Sequence, residues 1–162
     1  MKNYLIGLLA AILLLAPHNG FGATPLPEEI SQWRLAADQG DAKAQFNLGT
    51  MHENGKGVPQ NYVEAMNWYR LAAQQGYIMA QFNLGTMYEN GKGVSQNYAE
   101  AIKWYRLAAQ QGDAKAQFKL GSMYAIGQGV PQIDAEAVRW FRLAAQQGHT
   151  GAQSALKSVG EQ

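Results

Sequence analysis

The sequence contains no cysteine. This absence excludes disulfide bonds, thiolate metal ligands and a cysteine nucleophile. The chain also lacks an excess of charge of one sign, since 13 Lys and Arg residues stand against 12 Asp and Glu residues, for a formal net charge of +1. A balanced chain has no long-range attraction for nucleic acid or for an anionic membrane surface. We therefore expect neither of them as a partner.

The first residues differ in character from the rest of the chain. A short start containing Lys2 precedes twelve apolar residues at 5–16, and Pro17 ends this run. The run is shorter than the roughly 20 residues that span a bilayer, and small residues follow it, which is typical of a secretory signal peptide. Cleavage after Gly22 is preferred, because cleavage after Ala23 would place a bulky residue at the third-last leader position. The alternative is an uncleaved membrane anchor.

After this leader, the chain repeats a unit of 36 residues. The full units cover 41–76, 77–112 and 113–148, and the first two differ at only eight positions. Partial units precede and follow them, at 23–40 and at 149–162. A fixed period of this length is typical of solenoid proteins. The sequence therefore predicts one solenoid of three full repeats with partial ends and no second domain.

Each unit is predicted to form two helices. In the first copy, one helix is expected at about 42–54, with Asp41 able to cap its N-terminus. A second helix is expected at about 62–75, where Asn61 and Glu64 have the spacing of a capping box. Glycines follow the second helix of every copy, where a C-terminal glycine is favoured. The predicted fold class is all-α, an α-solenoid of helix-turn-helix repeats.

A glycine-rich phrase separates the two helices of each unit. It reads "NGKGV" at 54–58 and at 90–94, and "IGQGV" at 126–130. A phosphate-binding loop follows a strand and needs its lysine, but here the glycines follow a helix and Gln128 replaces the lysine in the third copy. Gly55 can adopt a positive φ just past a helix end. We therefore interpret the phrase as the turn between two helices.

The units resemble the Sel-1-like repeat family, relatives of tetratricopeptide repeats. The resemblance rests on a set of small, aromatic and glycine positions that recur in each copy over almost all of the chain after residue 30. In the first copy they are Ala44, Leu48, Gly49, Gly55, Lys56, Gly57, Val58, Ala65, Trp68, Tyr69, Ala72, Ala73 and Gly76. His52 departs from the aromatic residue of the pattern, which Tyr88 and Tyr124 keep.

The resemblance implies a right-handed superhelix whose concave face binds other proteins. Exported bacterial members of the family resemble envelope or host-interaction factors. Some cysteine-rich relatives are linked to β-lactam binding or hydrolysis, but this chain lacks their cysteine pairs. By this resemblance, the first helix of each unit lines the concave surface.

On a helical wheel, one side of each first helix is mostly polar. Successive copies repeat these positions at an expected spacing of ~10 Å, one helix diameter, which suits an extended peptide or a partner helix. Exposed polar residues of this kind are also often only solvated. The candidate partner-binding residues are Lys43, Asn47, Thr50, Asn54, Met79, Asn83, Thr86, Asn90, Lys115, Lys119 and Ser122, with Ile126 at the last position of the third copy.

The sequence predicts no catalytic, metal or cofactor site. His18, His52 and His149 are too few and too scattered for a histidine metal site. Ser154 and Lys157 have the Ser-x-x-Lys spacing of penicillin-recognising enzymes, but they lack the accompanying motifs, and we attribute the spacing to chance. Glu53 and Glu89 match in position and are the nearest approach to paired carboxylates, while alanine stands at the third copy.

Three hypotheses remain from the sequence. The main one is a non-enzymatic, exported adaptor that binds a protein or peptide through its concave face, in the periplasm or outside the cell. A β-lactam- or cell-wall-directed hydrolase is the alternative. End-to-end self-association is a further possibility, because the partial repeats at the two ends could leave apolar faces uncovered.

Overall fold

The computed structural model describes residues 27–160, and all regular structure in this range is helical. Extensive contacts join each helix to its neighbours in the chain, as expected for a solenoid. The all-α solenoid predicted from the period is therefore confirmed. The predicted leader lies outside the described residues. The eight helices of the described range are α1 (Pro27–Asp38), α2 (Ala42–Asn54), α3 (Tyr62–Gln74), α4 (Ile78–Asn90), α5 (Tyr98–Gln110), α6 (Ala114–Ile126), α7 (Asp134–Gln146) and α8 (Thr150–Gly160).

The helix ends follow from the capping residues. The Asp41 carboxylate accepts a hydrogen bond from the Ala44 amide, as predicted for the start of α2. The Asn61 side chain accepts from the amides of the first turn of α3. However, the backbone amide of Asn61 donates to the carbonyl of His52 at 2.8 Å. The reciprocal bond of a capping box, from this amide to the Glu64 side chain, therefore does not form. The bond to His52 instead ties the start of α3 to the end of α2.

The glycine-rich phrase forms the predicted turn. Gly91 ends α4 with φ 66°, and its amide donates to the Met87 carbonyl. Gly93 has φ 71°, and a Cβ at this position would lie 2.6 Å from the Tyr62 carbonyl oxygen. The Lys92 ammonium lies 5.3 Å from the centroid of the Tyr62 ring. The turn therefore packs against the start of the preceding repeat's second helix.

The core forms between the two helices of a repeat and the helices that flank them. Tyr69 and Tyr105 are completely buried, together with small alanines that let the helices approach closely. The equivalent methionines of the three copies are also buried; they are Met51, Met87 and Met123. Each such side chain contributes about 1.5–3 kcal/mol on burial. The equivalent tryptophans differ in burial, since Trp140 is buried while Trp68 and Trp104 are half-buried.

A line of buried glutamines connects successive repeats. Gln81 of α4 donates from Nε2 to the Ala73 carbonyl at the end of α3, at 3.1 Å. Its Oε1 accepts from Nε2 of Gln111, just past the end of α5, at 2.7 Å. Such paired amides satisfy polar atoms that burial would otherwise leave without partners. The same two bonds recur in the other repeats, made by Gln45 with Ala37 and Gln75, and by Gln117 with Ala109 and Gln147.

Candidate functional site

The outward sides of α2, α4 and α6 form one surface, which we call the first-helix face. All the candidate residues from the sequence lie on these three helices, and none is fully buried. Lys43, Asn54, Met79, Asn90 and Lys115 are exposed. Ile126 is also exposed, at 68%. The half-buried candidates are Asn47, Thr50, Asn83, Thr86, Lys119 and Ser122.

Several half-buried candidates already have partners within the chain. The Thr50 and Thr86 hydroxyls donate to carbonyls one turn earlier, at 3.1 and 3.2 Å. The Ser122 hydroxyl does the same with Phe118. The hydroxyl groups of these three residues are therefore engaged in hydrogen bonds within their own helices. The candidate residues with freer side chains are Lys43, Met79 and Lys115.

A tyrosine and a glutamate meet beneath the face in the first repeat. The Tyr69 hydroxyl donates to Oε2 of Glu53 at 2.8 Å and also contacts the Thr50 hydroxyl at 3.1 Å. The Asn83 amide of the next repeat lies beside the same hydroxyl. Burial, and secondarily the Glu53 charge, raise the Tyr69 pKa far above its usual value, so this phenol stays protonated.

The second repeat has the same cluster with one addition. The Tyr105 hydroxyl donates to Glu89 and contacts Thr86 at 3.2 Å. Burial, followed by the hydrogen bond to Glu89, raises the Tyr105 pKa far above its usual value. Lys119 of the third repeat reaches back, and its Nζ lies 3.0 Å from the Glu89 carboxylate oxygens. Glu89 is thus paired with a cation from the next repeat.

The first repeat lacks this cation. Asn83 stands where the second repeat's cluster has Lys119, and within residues 27–160 no ion pair involves Glu53. Oε1 of Glu53 likewise accepts no hydrogen bond from this part of the chain. The third repeat has no such cluster, because Phe141 and Ala125 replace the tyrosine and the glutamate. The three repeats therefore present different chemistry at equivalent positions.

A groove of about 370 Å³ opens on the first-helix face across three successive repeats. Its walls are largely apolar and include the polar side chains of Asn83, Asp113 and Lys115. Met79, an exposed side chain, also borders a second hollow of about 440 Å³ beside Tyr77 and Gln111. The residues that line the groove are Phe46, Met79, Phe82, Asn83, Asp113, Ala114 and Lys115.

The groove forms because one aromatic contact is missing. Phe46 packs on Tyr77, with ring centroids 5.1 Å apart, and Phe118 stacks on His149 at 4.4 Å. The equivalent partner of Phe82 is Asp113, which caps α6 instead. Phe82 therefore has no ring from the next repeat above it, and it lines the groove.

His52, Ser154 and Lys157 do not line the groove. No cluster of His, Cys, Asp or Glu in residues 27–160 could hold a metal ion. The His52 ring is half-buried, and its Nδ1 is buried without a hydrogen-bond partner. Ser154 and Lys157 are both exposed on α8. Among the described residues, no helix is long and apolar enough to cross a membrane.

Sequence reasoning missed two features of this surface. It did not anticipate the hydrogen bonds that link Gln45 and its equivalents to the preceding repeat. It also treated Glu53 and Glu89 only as a weak catalytic pair, although they are the acceptors of the buried tyrosines. The sequence did contain signals for both features. A glutamine recurs in all three copies and a glutamate in the first two, at fixed distances from the aromatic residues.

Helix pairs that stack by a fixed 36-residue period define an α-solenoid repeat protein. The Sel1 repeat family model matches residues 42–77, 78–113 and 114–149. The chain belongs to the Sel1 repeat family, whose members generally mediate protein–protein interactions. No match was found among curated proteins.

Solved structures support the same family. A protective antigen present in uropathogenic Escherichia coli strains, displaying an SLR fold, is 45% identical over 78% of this chain and 27% of its own, with a TM-score of 0.76. A Sel1 repeat protein from Oxalobacter formigenes is 40% identical over 80% of this chain and 51% of its own, with a TM-score of 0.75. This chain thus spans about a quarter and about half of those two proteins. Helicobacter pylori cysteine-rich protein B shares the fold, at 23% identity and a TM-score of 0.61, over 78% of this chain and 96% of its own.

Proposed function

We propose that this protein is an exported, non-enzymatic adaptor that binds a protein or peptide segment through its first-helix face. The groove beside Phe82 is the observation that carries the proposal, because it spans three repeats and its lining is largely apolar with a few polar side chains. Binding sites in proteins commonly combine these properties. In the family resemblance, this face corresponds to the concave surface of the solenoid. The candidate residues Met79, Asn83 and Lys115 line the groove directly.

Export rests on the character of the first residues. Lys2 followed by the apolar run at 5–16 has the layout of a signal peptide. We expect the full chain, expressed with a C-terminal tag in a Gram-negative bacterium, to be recovered from the periplasm or the medium. N-terminal sequencing of this material should begin at Ala23. Recovery of the intact chain with Met1 in the membrane fraction would instead support an uncleaved anchor.

Capture from bacterial envelope extract tests the proposed binding face. The bait is the tagged full chain, and the test variant carries Lys43→Gln, Met79→Glu and Lys115→Glu, all at exposed positions. Lys119 is left unchanged, because it pairs with Glu89. A control variant carries Asn67→Glu, Lys103→Glu and Gln110→Glu, which alters exposed residues of the second helices by the same charge of −4.

The adaptor proposal predicts a partner that the wild type and the control variant retain and the test variant loses. Both variants should melt within a few degrees of the wild type, since exposed substitutions usually change stability by about 0.5 kcal/mol or less. Partners that bind all three proteins equally would argue against the first-helix face. The absence of any such partner, in envelope extract and in host-surface material, would count against the adaptor function itself.

Self-association remains a second proposal for the ends of the solenoid. Leu35 in α1 is 62% exposed, whereas Leu71 and Leu107 at equivalent positions are 44% exposed. Covering such apolar surface would favour stacking of one copy on another. Light scattering across a hundredfold range of concentration measures this directly. A constant monomer mass would exclude it.

A further inference from the structure

We infer that the partner segment carries a basic side chain next to a large apolar one, with the basic group bound by Glu53 and the apolar group held in the groove beside Phe82. This inference rests on the proposed function and specifies the chemistry of its ligand. It follows from a comparison of equivalent positions in the three repeats.

The second repeat shows what the first repeat lacks. Glu89 accepts from Tyr105 and is neutralised by Lys119, whose Nζ is 3.0 Å away. Glu53 accepts from Tyr69 in the same way, but Asn83 supplies no charge at the equivalent position. A half-buried carboxylate gains from a cation in its open position, because the surrounding protein screens the attraction less than bulk water does. The first-helix face therefore offers the Glu53 carboxylate, which no ion pair within residues 27–160 neutralises and whose Oε1 has no donor there.

The apolar half of the inference comes from a second comparison. Tyr77 covers Phe46 and His149 covers Phe118, but no ring from the next repeat packs on Phe82. An apolar or aromatic side chain from a partner would occupy the place that Tyr77 and His149 take in the other repeats. Such ring contacts contribute about 0.5–1.5 kcal/mol beyond the area that they bury.

The Glu53 carboxylate and the groove beside Phe82 adjoin each other. Asn83 lines the groove and also lies beside the hydroxyl group that Glu53 binds. On the third-repeat side of the groove, Asp113 and Lys115 carry opposite charges, and their sum is zero. Within residues 27–160, Asp113 and Lys115 are the only charged residues that line the groove, so Glu53 supplies the unbalanced charge beside it. Charge complementarity thus favours a basic residue at the first-repeat end of the bound segment.

Residues that occur at equivalent positions of the other repeats can be introduced as test variants, because the fold already accommodates them there. Asn83→Lys copies Lys119 and should neutralise Glu53 from within the chain. Asp113→Tyr copies Tyr77 and should place a ring over Phe82, while α4 shows that such a helix forms without a side-chain cap. Glu53→Gln removes the charge but keeps an acceptor for Tyr69. None of the three should lower the melting temperature by more than a few degrees, which circular dichroism measures.

The experiment is a selection of phage-displayed random dodecapeptides on the immobilised full chain. We expect the enriched peptides to contain Arg or Lys within three residues of Phe, Leu, Met or Trp. Synthetic peptides of the enriched sequences should bind each of the three variants at least 10-fold more weakly than the wild type. Replacing the basic residue of the peptide by Gln should weaken binding to the wild type to a similar extent but should scarcely affect binding to Asn83→Lys.

Other outcomes would overturn the inference. They are an absence of enrichment, enriched peptides without a basic residue, or equal binding to the wild type and to Asn83→Lys. If the capture experiment still finds a partner that the first-helix variant loses, the adaptor proposal stands and only the ligand chemistry is wrong. If neither experiment finds a ligand that depends on this face, both proposals fail.

Discussion

Gly85 and Tyr105 lie in direct contact, with the backbone of α4 against the aromatic ring of α5. A Cβ at position 85 would lie 2.5 Å from Cδ1 and Cε1 of the ring, much closer than two carbon atoms can approach. The same contact recurs between Gly49 and Tyr69 in the first repeat. The absence of a side chain at this position therefore sets the separation of the two helices of a repeat.

Gly85→Ala should lower the free energy of unfolding by about 1–3 kcal/mol, because the added methyl group overpacks a buried contact. The gain in helix propensity from Gly to Ala, about 1 kcal/mol, offsets only part of this strain. Urea denaturation followed by circular dichroism measures the change. Lys115→Ala, an exposed change in the next repeat, is the control and should be close to neutral. A variant Gly85→Ala as stable as the wild type would contradict the proposed close contact.

Gln81→Leu should also destabilise the protein, by about 1–3 kcal/mol, because it removes two hydrogen bonds, a buried one to the Ala73 carbonyl and a part-buried one with Gln111. Gln111→Ala removes one of these two bonds, the one that Gln81 Oε1 accepts, and should cost half as much, about 0.5–1.5 kcal/mol. Thermal unfolding of the two variants, measured in parallel, separates these expectations. Equal losses of stability in the two variants would mean that the bond from Gln81 to the Ala73 carbonyl adds nothing beyond the bond with Gln111.

The buried tyrosines predict a loss of stability at high pH. Their pKa values are raised above the unfolded value of about 10, so both phenols remain protonated in the folded chain while they ionise in the unfolded chain. The stability from this difference is complete below pH ~10 and is lost progressively as the pH rises above that value. Chemical denaturation between pH 8 and about 11.5 should show this decline. The double variant Tyr69→Phe and Tyr105→Phe should show a smaller one.

Ile133→Asn should stabilise the third repeat. Ile133 occupies the N-cap of α7 without a side-chain hydrogen bond, whereas Asn97 caps α5 by accepting from the Glu100 amide. Ile133 is 43% exposed, so little apolar burial is lost. The expected gain is about 1 kcal/mol, and Asn97→Ala should lose a similar amount. The denaturation midpoints of the two variants should therefore move in opposite directions.

The sequence predicted the helices of the three full repeats closely, because caps, glycine turns and the 36-residue period act locally and recur. Only the end of α3 differs, at Gln74 instead of Gln75. The groove could not be predicted in the same way. It depends on whether the first residue of one repeat is aromatic or, as in Asp113, a cap, and on how that residue meets Phe82 of the previous repeat. Near-identical units thus hide differences that only the contacts between them reveal.

The line of buried glutamines has a mechanical consequence. Gln45, Gln81 and Gln117 join the repeats through side-chain amides, whereas each helix is held together by backbone hydrogen bonds along its own axis. Tension along the stack would load a few side-chain bonds and the apolar contacts around them, while the helices stayed intact. Stretching should therefore separate the protein in steps of one repeat, and each step should close again when the force is released.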